Sequence, residues 1–307
     1  MGVWIDTDMG FDDLAAIMVA AHEGMAIDGI SLVFGNAPIA QVRRNAAGAA
    51  SAFVWPFPIH AGRAKPVVGK LETAVSVLSE AGMPTIGQAL PAAPDTFAED
   101  GFEALCSWLQ GSDGERRILA LGPLTNIAAV ALARPDLAAK ITDLVWMGGG
   151  LTAGNHTASA EFNAYADPEA AAIVLSHGIP LRMVDLDLCR KVLCTPEDVL
   201  PVREAGGRNA VLLADLLAGF VAIATRNGRK AMSLYDAVAA VCFVRPDLAT
   251  WQAARIDIEL AGTLTRGRTV VETRVGRGEF NASFAADIDA DKAKTIILEA
   301  LRAEASW

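Results

Sequence analysis

The sequence is poor in the features that mark membrane, secreted, zinc-binding and nucleic-acid-binding proteins. None of its apolar stretches approaches the roughly 18 uninterrupted residues that crossing a bilayer takes. Its first residues lack the basic segment, short apolar run and cleavage site of an export signal. The expectation is a cytoplasmic protein with no membrane partner. The four cysteines, Cys106, Cys189, Cys194 and Cys242, form no Cys-x-x-Cys pair and have no histidine at zinc-ligand spacing, so buried free thiols are expected. Of the four histidines, His22, His60 and His177 stand alone and read as structural. Basic residues are also scarce: 26 Lys and Arg against 36 Asp and Glu give a net charge of −10, with no cluster longer than Arg43-Arg44 or Arg116-Arg117. That balance argues against nucleic acid as a partner and in favour of a small ligand.

Apolar residues make up 52% of the 307-residue chain and charged residues 20%, which supports a substantial core and excludes disorder. Strand-like runs at Val3 to Ile5, Gly29 to Phe34, Ile118 to Leu121, Asp143 to Met147 and Leu181 to Val184 alternate with helical segments. The helices are expected at Asp12 to Glu23, Gln41 to Ala52, Phe97 to Gln110, Leu124 to Ala133 and Pro168 to Ser176. This rhythm predicts an α/β fold with a mainly parallel central sheet and flanking helices. Ala61 to Asp95, rich in Pro, Gly and Ala, reads as a long excursion. After Thr195 the pattern turns helical, then strands are expected at Ala254 to Ile258, Arg268 to Glu272 and Glu279 to Phe284, with a last helix from Asp289. No polar linker divides the chain, so residues 1–307 read as one domain.

Behind the first strand stand four carboxylates in eight residues, Asp6-Thr7-Asp8-Met9-Gly10-Phe11-Asp12-Asp13. Asp6 and Asp8 are expected on one side of the strand end, with Gly10 supplying a sharp turn towards Asp12 and Asp13. Clustered acids repel unless a cation or hydrogen bonds offset the charge. An all-oxygen set favours Ca²⁺ or Mg²⁺ over zinc. The alternative is that Asp12 or Asp13 caps the apolar helix Leu14 to Ala21.

Further along, strands run into glycines and polar loops: Gly35-Asn36, Gly122-Pro123-Leu124-Thr125-Asn126 and Gly148-Gly149-Gly150. Gly154-Asn155-His156 precedes Ala160-Glu161-Phe162-Asn163, in which Glu161 and Asn163 share a face if extended, a pairing suited to vicinal hydroxyls. Asp236, at the start of an apolar helix, reads by itself as an N-cap. Asn36 and Asn126 have equally local readings, a turn and a helix start.

Taken in order, these segments resemble the inosine-uridine-preferring nucleoside hydrolases, through the acidic fingerprint Asp6 to Asp13, Gly122 to Asn126, Met147 to Gly150, Ala160 to Asn163, Asp167-Pro168-Glu169-Ala170-Ala171 and Asp236-Ala237. The resemblance spans most of the chain and implies a nucleoside hydrolase-like open sheet and a Ca²⁺-dependent enzyme that splits ribonucleosides into ribose and free base. It implies Asp8, Asp13, Asp236 and the Leu121 carbonyl as calcium ligands, and Asp8 as general base on a water. Asp12, Asn155, Glu161 and Asn163 are the implied ribose contacts, with Met147 below the sugar, Phe162 in the substrate pocket, Asn36 near ribose and base, and Asp6 supporting the cage from behind. Assembly as a homodimer or homotetramer is implied as well.

Two family histidines have no counterpart. Tyr235 stands where many members have His before the late Asp, and Ile86-Gly87 or Gln88 falls at the other position. Tyr235 is therefore the candidate to contact the departing base, with Arg226, Arg229 and Lys230 nearby as further candidates, and the base preference stays open. Three rivals remain. Asp6-Thr7-Asp8 behind a strand, with Asp185 and Asp187 as later acids, resembles a Mg²⁺-dependent haloacid dehalogenase-type phosphatase. Gly148 to Ala153 fits a dinucleotide-binding pattern, although Gly154-Asn155 interrupts the helix it needs. A non-catalytic ribose- or nucleoside-binding protein would account for the missing histidines.

Overall fold

The computed structural model describes residues 2–97, 100–111 and 114–307. Its strands are β1 (Gly2–Thr7), β2 (Ala26–Leu32), β3 (Ile59–Ala61), β4 (Arg117–Ala120), β5 (Asp143–Met147), β6 (Leu181–Val184), β7 (Leu193–Cys194), β8 (Met232–Ser233), β9 (Ala249–Ile258), β10 (Thr269–Glu272) and β11 (Ala282–Ile288). The helices are α1 (Phe11–His22), α2 (Ile39–Phe53), α3 (Val75–Leu78), α4 (Gly101–Gln110), α5 (Thr125–Ala133), α6 (Pro135–Ala138), α7 (Phe162–Ala166), α8 (Pro168–Ser176), α9 (Leu186–Cys189), α10 (Val199–Arg203), α11 (Ala210–Arg226), α12 (Tyr235–Val244) and α13 (Ala290–Ala305).

Nine strands form one sheet in the order β10-β9-β11-β6-β5-β4-β1-β2-β3, while β7 and β8 pair separately. From β11 to β3 every pairing is parallel, and β9 is antiparallel to both β11 and β10. The result is the mainly parallel, mixed α/β sheet that the alternation of segments predicts.

Strand side chains alternate between the two faces. Val3, Ile5, Leu119, Val145 and Val184 join one core with α1, α11, α12 and α13. Trp4, Ile118, Leu144, Trp146 and Met183 join another with α4, α5 and α8. Helix α1 is apolar nearly all round because α12 and α13 cover what the sheet does not. Each fully buried Leu or Ile there, such as Leu14 and Ile17, contributes about 1.5–3 kcal/mol relative to exposure.

Strands β5 and β6 and helix α8 have the bounds the sequence predicts. Elsewhere the ends move. Strand β2 begins at Ala26 and stops at Leu32, β9 begins at Ala249, and β11 runs from Ala282 to Ile288. Helix α4 starts at Gly101, capped by Asp100, whose carboxylate accepts from the Phe102 amide. Of the expected helix Phe97 to Gln110, Ala98 and Glu99 lie outside the described residues. Strand β3, between Pro58 and the excursion, has no expectation behind it because three residues carry no readable period.

The order of strands positions the site. The chain lays β1, β2 and β3 outward in one direction, then returns to place β4 on the other flank of β1. At such a reversal the loops beyond the two strand ends diverge and leave a crevice. The Leu121 amide donates to the Asp6 carbonyl at 2.8 Å, which holds those two ends together at its floor.

Candidate active site

The sharp turn after β1 is made by Met9, in the left-handed region with φ 50°, and not by Gly10, which is extended at the N-cap of α1. The Thr7 hydroxyl pins this turn by accepting from the Met9 amide at 3.1 Å, and Asn45 Nδ2 donates to the Met9 carbonyl at 3.2 Å. Glycine is needed at position 10 for another reason: a Cβ there would lie 2.4 Å from Asn36 Nδ2.

This turn separates the four acids into different environments. Asp6, still in the strand, points to the Trp4 side, where its Oδ1 accepts from Ser31 and from Asn126 Nδ2 at 2.7 Å, while its Oδ2 is buried without a partner. Burial raises its pKa to about 7. Asp13 accepts from the Thr7 hydroxyl and, at 2.7 Å, from the Gly10 amide, so it does cap α1. Its carboxylate also stands in hydrogen-bonding contact with those of Asp8 and Asp236. Capping and charge clustering thus meet in one residue.

Asp12, Asp13 and Asp236 bring carboxylate oxygens within 4.8 Å of one another. Asp236 is no N-cap: Leu234 holds that place, and Asp236 sits inside the first turn of α12, where its amide donates to Asp12. Asp8 adjoins the triad through Asp13. Burial and then the neighbouring Asp13 push Asp8 well above the usual carboxylate range; burial and Asp13 likewise carry Asp12 to about 8, and burial with Asp12 raises Asp236. Carboxylates in contact must share a proton or a cation. No salt bridge among the described residues reaches these four acids, and the atoms the triad offers a metal are all carboxylate oxygens, so the cluster fits a hard divalent cation.

Above the acids lies a cavity of about 300 Å³ lined by Asp8, Asp12, Asn36, Leu121, Met147, Asn155, Glu161, Phe162, Asn163, Tyr235 and Asp236, among others. The structure therefore gathers every expected substrate residue, with Asp13 directly beneath. Several do different work from what spacing suggests. Asn36 commits both of its nitrogens to acids: its backbone amide donates to Asp8 Oδ2 at 2.7 Å, and Nδ2 donates to Asp8 Oδ1 at 2.8 Å and Asp13 Oδ2 at 3.1 Å. Glu161 and Asn163 do not alternate along an extended segment. Glu161 is the N-cap of α7 and accepts from the amides of Gly149, Asn163 and Ala164 at 2.8 to 2.9 Å. Burial nonetheless lifts its pKa to about 7. Asn163 Nδ2 donates to the carbonyls of Leu121 at 2.8 Å and Met147 at 3.0 Å, tying the ends of β4 and β5 together and leaving its Oδ1 for a ligand. Asn155 Oδ1 accepts from the Phe162 amide at 2.9 Å, which leaves its amide nitrogen available.

Tyr235 is half-buried on the wall beside Asp236, and burial raises its phenol pKa. Of the three upstream basic residues, Arg229 lines the cavity and Arg226 and Lys230 do not. Sequence reasoning missed Arg190, His156, Phe220, Ile223, Met232, Val77 and Leu78, which also line it. His156 has a local signal, the Gly154-Asn155-His156 loop, and its ring packs on Tyr165 and Phe162 with centroids 4.6 and 5.4 Å apart. Arg190 follows a one-turn helix and has no signal at all.

His60, His177 and the thiols are structural as expected. His60 stacks on Trp4, His177 Nδ1 lies 2.8 Å from the Ile173 carbonyl, and all four cysteines are buried. Burial pushes Cys194 and Cys242 up to about 12, which leaves them unreactive. Among the described residues no helix is long and apolar enough to cross a membrane.

An α/β sheet with buried acids beneath an amide-lined cavity at its strand reversal is a site suited to a small polar ligand. The comparisons with known proteins narrow this. The sequence pattern of the inosine-uridine preferring nucleoside hydrolases matches residues 3–295, and the chain belongs to that family. A pyrimidine-specific ribonucleoside hydrolase of Escherichia coli, RihB, is 32% identical over 272 residues, covering 87% of this chain and 86% of the relative. The fold matches a purine-preferring ribonucleoside hydrolase from Gardnerella vaginalis with a TM-score of 0.92, at 24% identity over 100% of this chain and 99% of the other. It also matches an inosine-uridine preferring nucleoside hydrolase from Bacillus anthracis with a TM-score of 0.76, at 22% identity over 98% and 99%. The chain is a ribonucleoside hydrolase, an enzyme of N-glycosidic bond cleavage.

The phosphatase reading falls with this assignment. Its supposed later acids are structural, since Asp185 caps α9 and Asp187 accepts from the Leu151 and Thr152 amides at 2.7 and 2.9 Å. The glycine run is a turn with Gly149 at φ 77°, followed by no helix before α7, which removes the dinucleotide reading too.

Proposed function

We propose that the chain hydrolyses ribonucleosides to ribose and base with Asp8 as general base and a Ca²⁺ ion held by Asp8, Asp13, Asp236 and the Leu121 carbonyl. The observation that carries this reading is the position of Asp13, in contact with both Asp8 and Asp236 beneath the cavity floor. Ca²⁺ takes about 6–8 oxygens in flexible geometry, which suits carboxylates arriving from a turn and two helices. What a bound cation supplies is a lowered pKa for a water molecule and anchorage for ribose hydroxyls.

The protein's own groups do the rest. Asn36 orients the Asp8 carboxylate, which takes the proton of the attacking water. Asp12, Asn155, Glu161 and Asn163 surround the ribose, and Met147 supports it from below. As the C1′–N bond breaks, positive charge grows on the sugar, and the buried carboxylates and amide oxygens lie where they stabilise it. Asp6 braces the cage through Ser31 and Asn126. Phe162 and Tyr235 flank the base, and the Tyr235 phenol, kept protonated by burial, offers it a hydrogen bond. The resemblance that carries this chemistry also carries assembly as a homodimer or homotetramer, which sedimentation of the purified chain decides.

A panel of purine and pyrimidine ribonucleosides assayed for reducing sugar, with and without chelator, tests the reading. The expected result is ribose release that chelation abolishes and Ca²⁺ restores. Release that chelation leaves untouched removes the cation from the proposal.

A further inference from the structure

We propose that Arg229 and Arg190 form a cationic receptor for the departing base, which leaves as an anion held by guanidinium groups and not as a neutral molecule protonated by an acid. This rests on the ribonucleoside hydrolase reading of the acids below.

Both arginines line the cavity whose floor is the acidic cluster, and they come from separate elements. Arg190 ends α9, donates to the Gly154 carbonyl at 3.2 Å and lies 3.6 Å from Asp187. Those contacts leave some of its five N–H donors for a ligand. Arg229 follows α11 and approaches the Met232 sulfur at 4.0 Å, with no carboxylate in ion-pair contact among the described residues. Tyr235 lines the same cavity as both arginines.

The cavity is thus polarised, with anionic groups below and cationic groups at the rim. Breaking an N-glycosidic bond creates the matching dipole, positive on ribose and negative on the base, so the fixed charges favour the transition state. A guanidinium stays charged at any working pH and gives up no proton; what it supplies is charge and N–H donors. In the balanced step the C1′–N electron pair stays on the base nitrogen, the water oxygen bonds to C1′, and the water's proton passes to Asp8. The base anion takes a proton from solvent after release. Turnover then ranks with the acidity of the base N–H: xanthosine above inosine, inosine above adenosine, and a carboxylated pyrimidine riboside above cytidine.

The test compares these nucleosides with 4-nitrophenyl β-D-ribofuranoside, whose nitrophenolate leaves unaided, in the Ca²⁺-loaded enzyme and its Arg229→Met, Arg190→Met and Arg229→Lys variants. Arg229→Met is expected to lose about a hundredfold in kcat on inosine and at least about tenfold less on the nitrophenyl riboside, with Arg229→Lys recovering part of the loss. Equal losses on both substrates overturn the proposal. So does a fall in nucleoside kcat above neutral pH that His156→Gln abolishes, because His156 would then be the acid. A wild-type enzyme that cleaves neither class of substrate fails at the underlying reading, before either arginine is tested.

Discussion

Asn36 holds Asp8 by two hydrogen bonds, one from its backbone amide to Oδ2 and one from its side-chain amide to Oδ1. The same Nδ2 reaches Asp13 Oδ2, so a single amide fixes the distance between two carboxylates that repel each other. Asn36→Ala keeps the backbone bond and loses the other two. The expected outcome is a fall in kcat of about tenfold to a hundredfold, since a misplaced base loses much of the advantage of orientation. Stability changes by only about 1 kcal/mol per lost bond. Steady-state kinetics beside a thermal melt separates the two effects.

Asp8→Asn keeps the shape of the side chain and removes its basicity. If Asp8 takes the proton from the attacking water, turnover falls by about 10²–10⁴-fold, the usual worth of a general base. Nucleoside binding, measured by equilibrium titration, is expected to persist because the proposed ribose contacts Asp12, Glu161 and Asn163 are unchanged. Near-normal turnover removes Asp8 from the role.

How much of this the sequence discloses depends on how local each cause is. Helix α8 is readable to the residue because Asp167 at its N-cap accepts from the Ala170 amide and Pro168 stands at the first helical position. Strands β5 and β6 are readable because helices cover both faces and their runs are mainly apolar, the charged Asp143 and Arg182 being only partly buried and paired with each other. The acids are legible as a cluster, yet their division of labour is not. That Met9 turns the chain, that Asp6 faces Trp4 and Ser31, and that Asn36 holds Asp8 and Asp13 all follow from tertiary packing. Arg190 is silent in sequence for the same reason: its place in the cavity depends on the loop from Gly150 to Ala160 folding against α9.

The buried acids make stability depend on pH with a definite sign. Asp12 and Glu161 titrate near 8 and 7 in the folded chain, against ordinary values of 3.8 and 4.5. Between those limits the folded state binds more protons than the unfolded state, so stability falls as pH rises. The chelated protein is therefore expected to melt at progressively lower temperature from about pH 4 to pH 8, the span those shifts define. Ca²⁺ at 100 times its Kd is expected to return about 2.7 kcal/mol at the upper end by mass action. Asp236→Asn removes a ligand and blunts that recovery. Scanning calorimetry across pH, with and without Ca²⁺, checks both parts; a chelated protein that grows more stable with rising pH contradicts the assignment.

Gly35 shows that the site also constrains residues with no chemistry of their own. A Cβ at position 35 would lie 1.9 Å from Asp8 Oδ2 and 2.7 Å from Asp8 Cγ, a clash that either the loop or the carboxylate must relieve. Asp8 is tied to this same loop by the Asn36 amides, so a retreat of the carboxylate would break those bonds. Gly35→Ala is therefore expected to cost about 1–3 kcal/mol of stability, the range for overpacking a filled interior. Its cost in kcat should be disproportionate, about a hundredfold, because the displaced atom belongs to the proposed base. Gly150→Ala provides the control. It lies in the loop between β5 and the cavity-lining Gly154, but its Cβ would meet its nearest neighbour at 3.6 Å, an ordinary contact. If the two variants lose activity equally, small residues here serve the folding of the loops; if Gly35→Ala alone fails, the space beside Asp8 is reserved for the carboxylate.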